Sequence, residues 1–281
     1  MAGLAACSSS SLTIRVGSKN FTEQVVLGEI IAQHLEHRLH TKVERRLNLG
    51  GTLLAHQALL NREIDLYPEY TGTALTAILK DPPDNDPARV LAQVRAEYLN
   101  RFHVEWLDPL GIDNSFAMVV SGPNARSKRL ENLSEAAMVL PGWRLGVGYE
   151  FQQRPDGLAA LDRTYHLHWI GSPQSMDLGL LYKALEGGQV SMIAANATDG
   201  LLSKLDLQVL ADDQHAFPPY QVSIAAGQQR LEETPGMREA LLELSGKFTN
   251  QRMQQMNYQV DGEHRPVSQV AAEFLKGIYG Q

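Results

Sequence analysis

Leu12-Thr13-Ile14-Arg15-Val16-Gly17-Ser18-Lys19-Asn20 decides how the rest of the chain is read. Its first five residues alternate apolar with polar and are rich in β-branched side chains, which predicts a strand. Gly17-Ser18-Lys19 supplies the turn. Asn20 with Glu23 three residues on predicts a capping box. Phe21, Val25, Gly28, Ala32, Leu35 and Leu39 follow at spacings of four and three, one face of a helix. Further on, residues 41–47 read as a second strand, although Arg45 interrupts the apolar face shared by Val43 and Leu47. Gly50-Gly51-Thr52 opens a second helix over residues 53–60, and residues 63–67 give a third strand. Strands alternating with helices predict an α/β architecture.

The second half repeats the scheme. Residues 144–149 read as a strand, Pro155-Asp156-Gly157-Leu158 starts a helix, and Leu180, Leu181, Ala184 and Leu185 form another before Gly187-Gly188. Residues 190–194 then read as a strand. Shifted by 126 residues, Leu54, Ala58, Leu59, Ile64 and Tyr70 fall on Leu180, Ala184, Leu185, Val190 and Asn196. Two lobes of similar build are expected, with Tyr70 and Asn196 at equivalent strand ends. Open α/β sheets bind ligands beyond the carboxyl ends of their strands. Those ends carry Ser18-Lys19-Asn20, Tyr70 to Thr73, Glu150 to Arg154 and Asn196 to Asp199, which suits a small polar or zwitterionic molecule enclosed between lobes.

Composition narrows the classes. The chain has 281 residues, and 43% hydrophobic with 20% charged residues is a globular mixture rather than a disordered one. Lys and Arg number 25 against 32 Asp and Glu, and the resulting −7 argues against a nucleic-acid surface. No apolar run approaches the roughly 18–20 residues that cross a bilayer. One cysteine, Cys7, excludes an intramolecular disulfide. It follows Leu4-Ala5-Ala6 and precedes Ser8 to Ser11, a pattern like a bacterial lipobox with a flexible serine tether. Cys7 is therefore the expected lipid attachment point, and a lipid anchor the only expected membrane contact.

Three motifs carry a resemblance. Gly17-Ser18-Lys19-Asn20-Phe21-Thr22-Glu23-Gln24, Asn48-Leu49-Gly50-Gly51-Thr52 and Asp65-Leu66-Tyr67-Pro68-Glu69-Tyr70-Thr71-Gly72-Thr73 resemble the osmoprotectant-binding proteins of bacterial ABC importers, which bind glycine betaine, choline or carnitine. Arg154 to Leu158, Thr198-Asp199-Gly200, and Asp212-Asp213 followed by Phe217-Pro218-Pro219-Tyr220 extend the likeness in the same order, from about residue 12 to 275. The resemblance implies a two-lobed periplasmic-binding-protein fold of type II that closes on its ligand and delivers it to a permease. It implies no enzyme activity, no cofactor and no metal. It further implies a box of aromatic rings for the ligand's quaternary ammonium, at Tyr70, Phe116 and Tyr220, because a trimethylammonium has no N–H to donate and ring faces attract it instead. Lys19, Thr73 and Arg154 match the positions that meet a carboxylate, and Gln24, at the end of the first motif, is a further expected ligand-binding residue.

Two positions depart from the family pattern: Phe116 and Asn196 stand where Tyr is usual. Phe keeps the ring face without the hydroxyl, whereas Asn196 replaces a face by a donor and an acceptor. Three rings plus an amide suit a larger betaine, such as ergothioneine, as the alternative ligand. By itself, Lys19 is the kind of residue that is usually solvated, and Arg154 could instead pair with Asp156 or Glu150. His34, His37 and His40 are expected to be solvated near a helix end rather than to hold a metal. Gly50-Gly51 lacks the glycine spacing and lysine of a phosphate loop. The domain expectation is a remnant and tether over 1–11, lobe one over 12–113 and 220–281, and lobe two over 114–219. Crossings near Asp113 and Pro219 would form the hinge. The expected protein is a monomer, periplasmic or lipid-anchored at the cell surface, and a sensing module that docks on a receptor is the alternative of another class.

Overall fold

The computed structural model describes residues 13–280, so Cys7 and its serine tether lie outside the described residues. Strand β1, Ile14–Gly17, runs parallel to β2, Val43–Arg46, and to β3, Leu66–Tyr70. Helices α1, Thr22–Leu39, and α2, Thr52–Leu60, make the crossovers between them. β10, Val222–Gly227, lies antiparallel to β3 and to β4, Val104–Trp106, giving the order β2-β1-β3-β10-β4. The second sheet has the order β7-β6-β8-β5-β9, from β5, Phe116–Ser121, β6, Leu145–Val147, β7, Gln174–Ser175, β8, Met192–Asn196, and β9, Leu207–Leu210.

The two sheets share one plan. Each central strand has a parallel neighbour on one side and an antiparallel one on the other: β1 and β10 for β3, β6 and β5 for β8. The 126-residue offset holds at both ends of two elements, carrying α2 onto the helix Leu178–Glu186 and β3 onto β8. Burial follows it too. Ala58, Leu59 and Ile64 are buried, as are Ala184, Leu185 and Val190, while Leu54 and Leu180 are exposed.

The chain passes between the sheets after β4 and again after β9, and the two passages lie side by side. Val222 N–H donates to Ile112 O at 3.0 Å and Asn114 N–H to Tyr220 O at 3.1 Å. Asp113 bridges Gln221 in antiparallel fashion, and its Oδ1 accepts from Tyr220 N–H at 3.0 Å.

Several expectations are corrected. The capping box does not form: Phe21 occupies the N-cap of α1 without a side-chain cap bond, Asn20 is exposed, and Glu23 turns inward and is buried. β3 begins at Leu66 and continues to Tyr70, past Pro68, instead of ending at Tyr67. Asp65 O accepts from Gly227 N–H and Thr71 N–H donates to Gln221 O, so alternate residues of β3 face β10. The missing N–H of Pro68 therefore faces the side where pairing with β1 has already ended, at Val16 opposite Leu66. β8 is likewise displaced from residues 190–194 to 192–196. His34 is buried rather than solvated, with Nε2 2.7 Å from Ala240 O and Nδ1 3.0 Å from Tyr279 Oη. The helices Met237–Leu242 and Val267–Tyr279 pack over α1 and cover that face, whereas His37 and His40 are exposed.

Candidate ligand-binding site

Lys19 follows the carboxyl end of β1 and is 2% exposed. A buried ammonium needs partners to offset its desolvation. Lys19 Nζ has three: Glu69 Oε1 at 2.6 Å, Thr52 Oγ1 at 3.2 Å, and the face of Tyr70, whose centroid lies 4.6 Å away. Glu69, on β3, also accepts from Tyr67 Oη at 3.1 Å and from Tyr70 N–H at 2.7 Å. Gln24 turns its Oε1 to Lys19 N–H at 3.2 Å, and its Nε2 is buried with no acceptor among the described residues. Tyr70 stacks near Phe21, with ring centroids 6.2 Å apart. Thr73 is buried one turn beyond it.

The second cationic centre is Arg154, just after the short helix Tyr149–Gln153. Its guanidinium lies 5.3 Å from the Phe116 centroid and 5.6 Å from that of Tyr220. The two rings touch edge to face at 5.4 Å, and Phe151 and Phe217 complete the cluster around Phe116. Nε and Nη2 of Arg154 grip Asp156 at 2.9 and 2.5 Å. Asp156 also accepts from Tyr220 Oη at 2.7 Å and from Thr76 Oγ1 at 2.6 Å. Burial alone would raise the Asp156 carboxyl, but Arg154 and the two hydroxyls outweigh it and hold the group below its ordinary value.

Polar contacts join the two sheets' residues across the cleft. Glu150 Oε1 accepts from Thr52 N–H at 2.7 Å, so a carboxylate from one side caps α2 on the other. A Cβ on Gly51 would stand 2.5 Å from that oxygen, and one on Gly72 would stand 2.6 Å from Pro219 O. The backbone approach at Gly72 needs glycine, whereas at Gly51 the glutamate side chain would have to give way. Deeper in, Glu23 accepts from Tyr70 Oη at 2.6 Å, from Asn114 Nδ2 at 2.8 Å and from Thr198 Oγ1. Burial raises its carboxyl despite those three donors.

With that geometry in place, the comparisons with known proteins fall into line. The family model of the substrate-binding domain of ABC-type glycine betaine transport systems matches residues 12–277. The chain belongs to this family. It is 34% identical over 270 residues to the carnitine transport binding protein of Listeria monocytogenes, covering 95% of this chain and 87% of that one. It is 32% identical over 264 residues to an ergothioneine transport permease/ergothioneine binding protein of Helicobacter pylori, covering 94% of this chain and 47% of that longer one. Among solved structures, a glycine betaine/carnitine/choline ABC transporter protein superposes with a TM-score of 0.80 at 30% identity, covering 95% of this chain and 98% of that one. The α/β fold with two lobes, expected from the sequence, is the fold of this family.

For a substrate-binding domain of this family, the expected residues divide into two groups. Tyr70, Lys19 and Gln24 meet beyond the carboxyl ends of β1 and β3, with Thr73 buried three residues past Tyr70; Phe116, Tyr220 and Arg154 form the second cluster. Asn196 is half-buried at the end of β8, directly opposite Phe116 in the strand register. Its N–H donates to Asp199 Oδ2 at 3.1 Å. Burial pushes the Asp199 carboxyl up to about 6, against the pull of that N–H and of Tyr182 Oη. Lys19 is not solvated, and Arg154 does pair with Asp156. Sequence reading missed Glu23, Glu69 and Asp156 as parts of the site and Phe151 as a ring. The first three sit inside the quoted motifs; the signal for Glu69 and Asp156 was the need of two buried cations for anionic partners, whereas Glu23 is held by three neutral donors. Among the described residues no group of side chains could hold a metal ion, and no helix is long and apolar enough to cross a membrane.

Proposed function

We propose that the chain captures a betaine, a quaternary ammonium joined to a carboxylate, between its lobes and hands it unchanged to an ABC permease. The observation that carries this reading is the placement of Lys19 over Tyr70 and of Arg154 over Phe116 and Tyr220. Rings that attract these two cations would also attract a trimethylammonium on the faces Lys19 and Arg154 leave open, with no need of a hydrogen-bond acceptor. Arg154 keeps Nη1 free of hydrogen bonds to the protein's carboxylates, its nearest being Glu150 Oε2 at 3.8 Å. That edge, with Lys19, the buried Gln24 amide and Thr73, suits the carboxylate end. Closure would turn about the paired passages at Asp113 and Pro219, between lobe one over 12–113 and 220–281 and lobe two over 114–219. The protein would act outside the cytoplasmic membrane as a monomer, anchored through Cys7 if that residue is lipidated.

A second reading is favoured by Asn196 beside Phe116. An amide in the wall suits a betaine with a further polar group, as in the ergothioneine named for the Helicobacter pylori relative.

Calorimetry with glycine betaine, carnitine, choline and ergothioneine tests both readings. Arg154→Ala is expected to cost the carboxylated ligands about 1.5–3 kcal/mol, the worth of hydrogen bonds to a charged group, and choline much less. Equal losses would leave Arg154 a structural partner of Asp156 alone.

A further inference from the structure

At the end of the first sheet opposite the cleft, a cavity of about 710 Å³ opens between the start of β1, the approach to β3 and the end of β10. Its floor is a buried charge cluster. Asp65 is gripped by Arg15, whose Nη2 and Nε stand 2.9 and 3.3 Å from its two oxygens, and it also accepts from Arg15 N–H at 2.7 Å. Arg230 comes to the same carboxylate from the other side. Its Nε is 3.1 Å from Asp65 Oδ1 but out of line for a hydrogen bond. Arg230 is 9% exposed, and both Nε and Nη1 are buried without an acceptor among the described residues. The floor thus holds two guanidiniums for one carboxylate.

Arg230 shares the single charge of Asp65 with Arg15 and keeps two buried nitrogens without an acceptor, a costly arrangement that a further anion would relieve. Leu59, Ile64 and Phe102 form apolar walls above it. Arg62, Glu232 and Glu233 stand at the exposed rim, where water screens them. The two rim glutamates accept from Gln228 and Gln229 and set a negative border that disfavours multiply charged anions.

We propose that this cavity is a second small-molecule site, separate from the cleft, which takes the carboxylate head of a short organic acid on Arg230 and its hydrocarbon tail on the apolar walls. It rests on none of the ligand assignments in the cleft.

The test uses sodium butyrate as probe, at ionic strength held constant with chloride. The melting temperature should rise with the logarithm of butyrate concentration once the site fills, because a species at free concentration c that binds only the folded state stabilises it by RT ln(1 + c/Kd). Acetate, lacking the tail, should give a smaller rise. Arg230→Met should weaken butyrate by roughly ten- to hundredfold, the range for a lost hydrogen bond to a charged group. Leu60→Asp, which adds a carboxylate to the wall at the end of α2, should weaken it too and serves if Arg230→Met does not fold. Neither variant should alter betaine affinity in the cleft, which separates this site from capture of butyrate at Arg154. A butyrate effect no larger than that of chloride, or one that survives both substitutions, overturns the proposal.

Discussion

Tyr70 is held by two contacts of opposite kind. Its ring face lies under the Lys19 ammonium, and its hydroxyl donates to the buried Glu23 carboxylate at 2.6 Å. The hydroxyl fixes the ring's orientation, so the ring is not free to swing. Tyr70→Ala is expected to weaken a quaternary-ammonium ligand by about 2 kcal/mol or more, the figure for a desolvated cation–π contact. Calorimetry on the tightest ligand checks it, and unchanged affinity would remove Tyr70 from the box. The ring residues were legible from their motifs. Their carboxylate partners were harder to see, because a lone Glu or Asp reads as a surface charge until a buried cation is placed beside it. Glu69 and Asp156 became readable only once Lys19 and Arg154 proved to be inside. Glu23 was misassigned for a related reason: the Asn-x-x-Glu spacing that suggests a cap also places that glutamate in the first turn of α1, within reach of the Tyr70 hydroxyl.

At the scale of elements, α2 begins at Thr52 with no side-chain cap of its own, since Gly51 precedes it. Glu150 supplies the cap from across the cleft, which makes a helix terminus depend on closure. Burial alone would raise the Glu150 carboxyl, but Lys19, the Thr52 N–H and Arg154 outweigh it and hold it below the ordinary carboxylate value. A depressed carboxyl stabilises the closed state above its ordinary value, and that support is lost as pH falls through the depressed one. Closure, followed by small-angle scattering or by a fluorophore pair on the two lobes, should therefore weaken on acidification below the ordinary carboxylate range. Glu150→Gln should flatten that dependence and cost the closed state about 1 kcal/mol, the usual worth of a cap. A pH profile identical to wild type would dissociate Glu150 from closure. The helix itself was legible from Gly50-Gly51-Thr52. Its capping partner, 98 residues away, was not, since local spacing says nothing about what faces a helix end. The same limit displaced the bounds of β3 and β8, which pairing with neighbouring strands sets; Pro68 is harmless in a strand bonded there on one side only.

Across the whole molecule, Glu23 ties α1 to both the first passage between the sheets and the far lobe. Asn114 belongs to the first passage between sheets, and Thr198 to the turn after β8; Asn114 Oδ1 in turn accepts from Thr198 N–H at 3.1 Å. A carboxylate serves here because all three groups around it donate. Glu23→Gln puts an amide N–H₂ among those donors and leaves at least one of them without an acceptor, at about 1–3 kcal/mol per buried unsatisfied group. Because burial raises the Glu23 carboxyl, the folded protein holds its proton more tightly than the unfolded chain does. The Glu23 contribution to stability should then be fullest below the ordinary carboxylate value and decline as pH rises through the raised one. Tyr70→Phe separates the parts of the network: it deletes one donor, keeps the ring, and leaves Asn114 and Thr198 bonded. The expected outcome is a larger fall in melting temperature for Glu23→Gln than for Tyr70→Phe, and loss of the Glu23 component of the pH slope in Glu23→Gln alone. Melting curves across the acidic range decide it. A Glu23→Gln protein that melts with wild type, and with the wild-type slope, would mean that this passage is held by the backbone bonds between Asn114 and Tyr220 and not by this carboxylate.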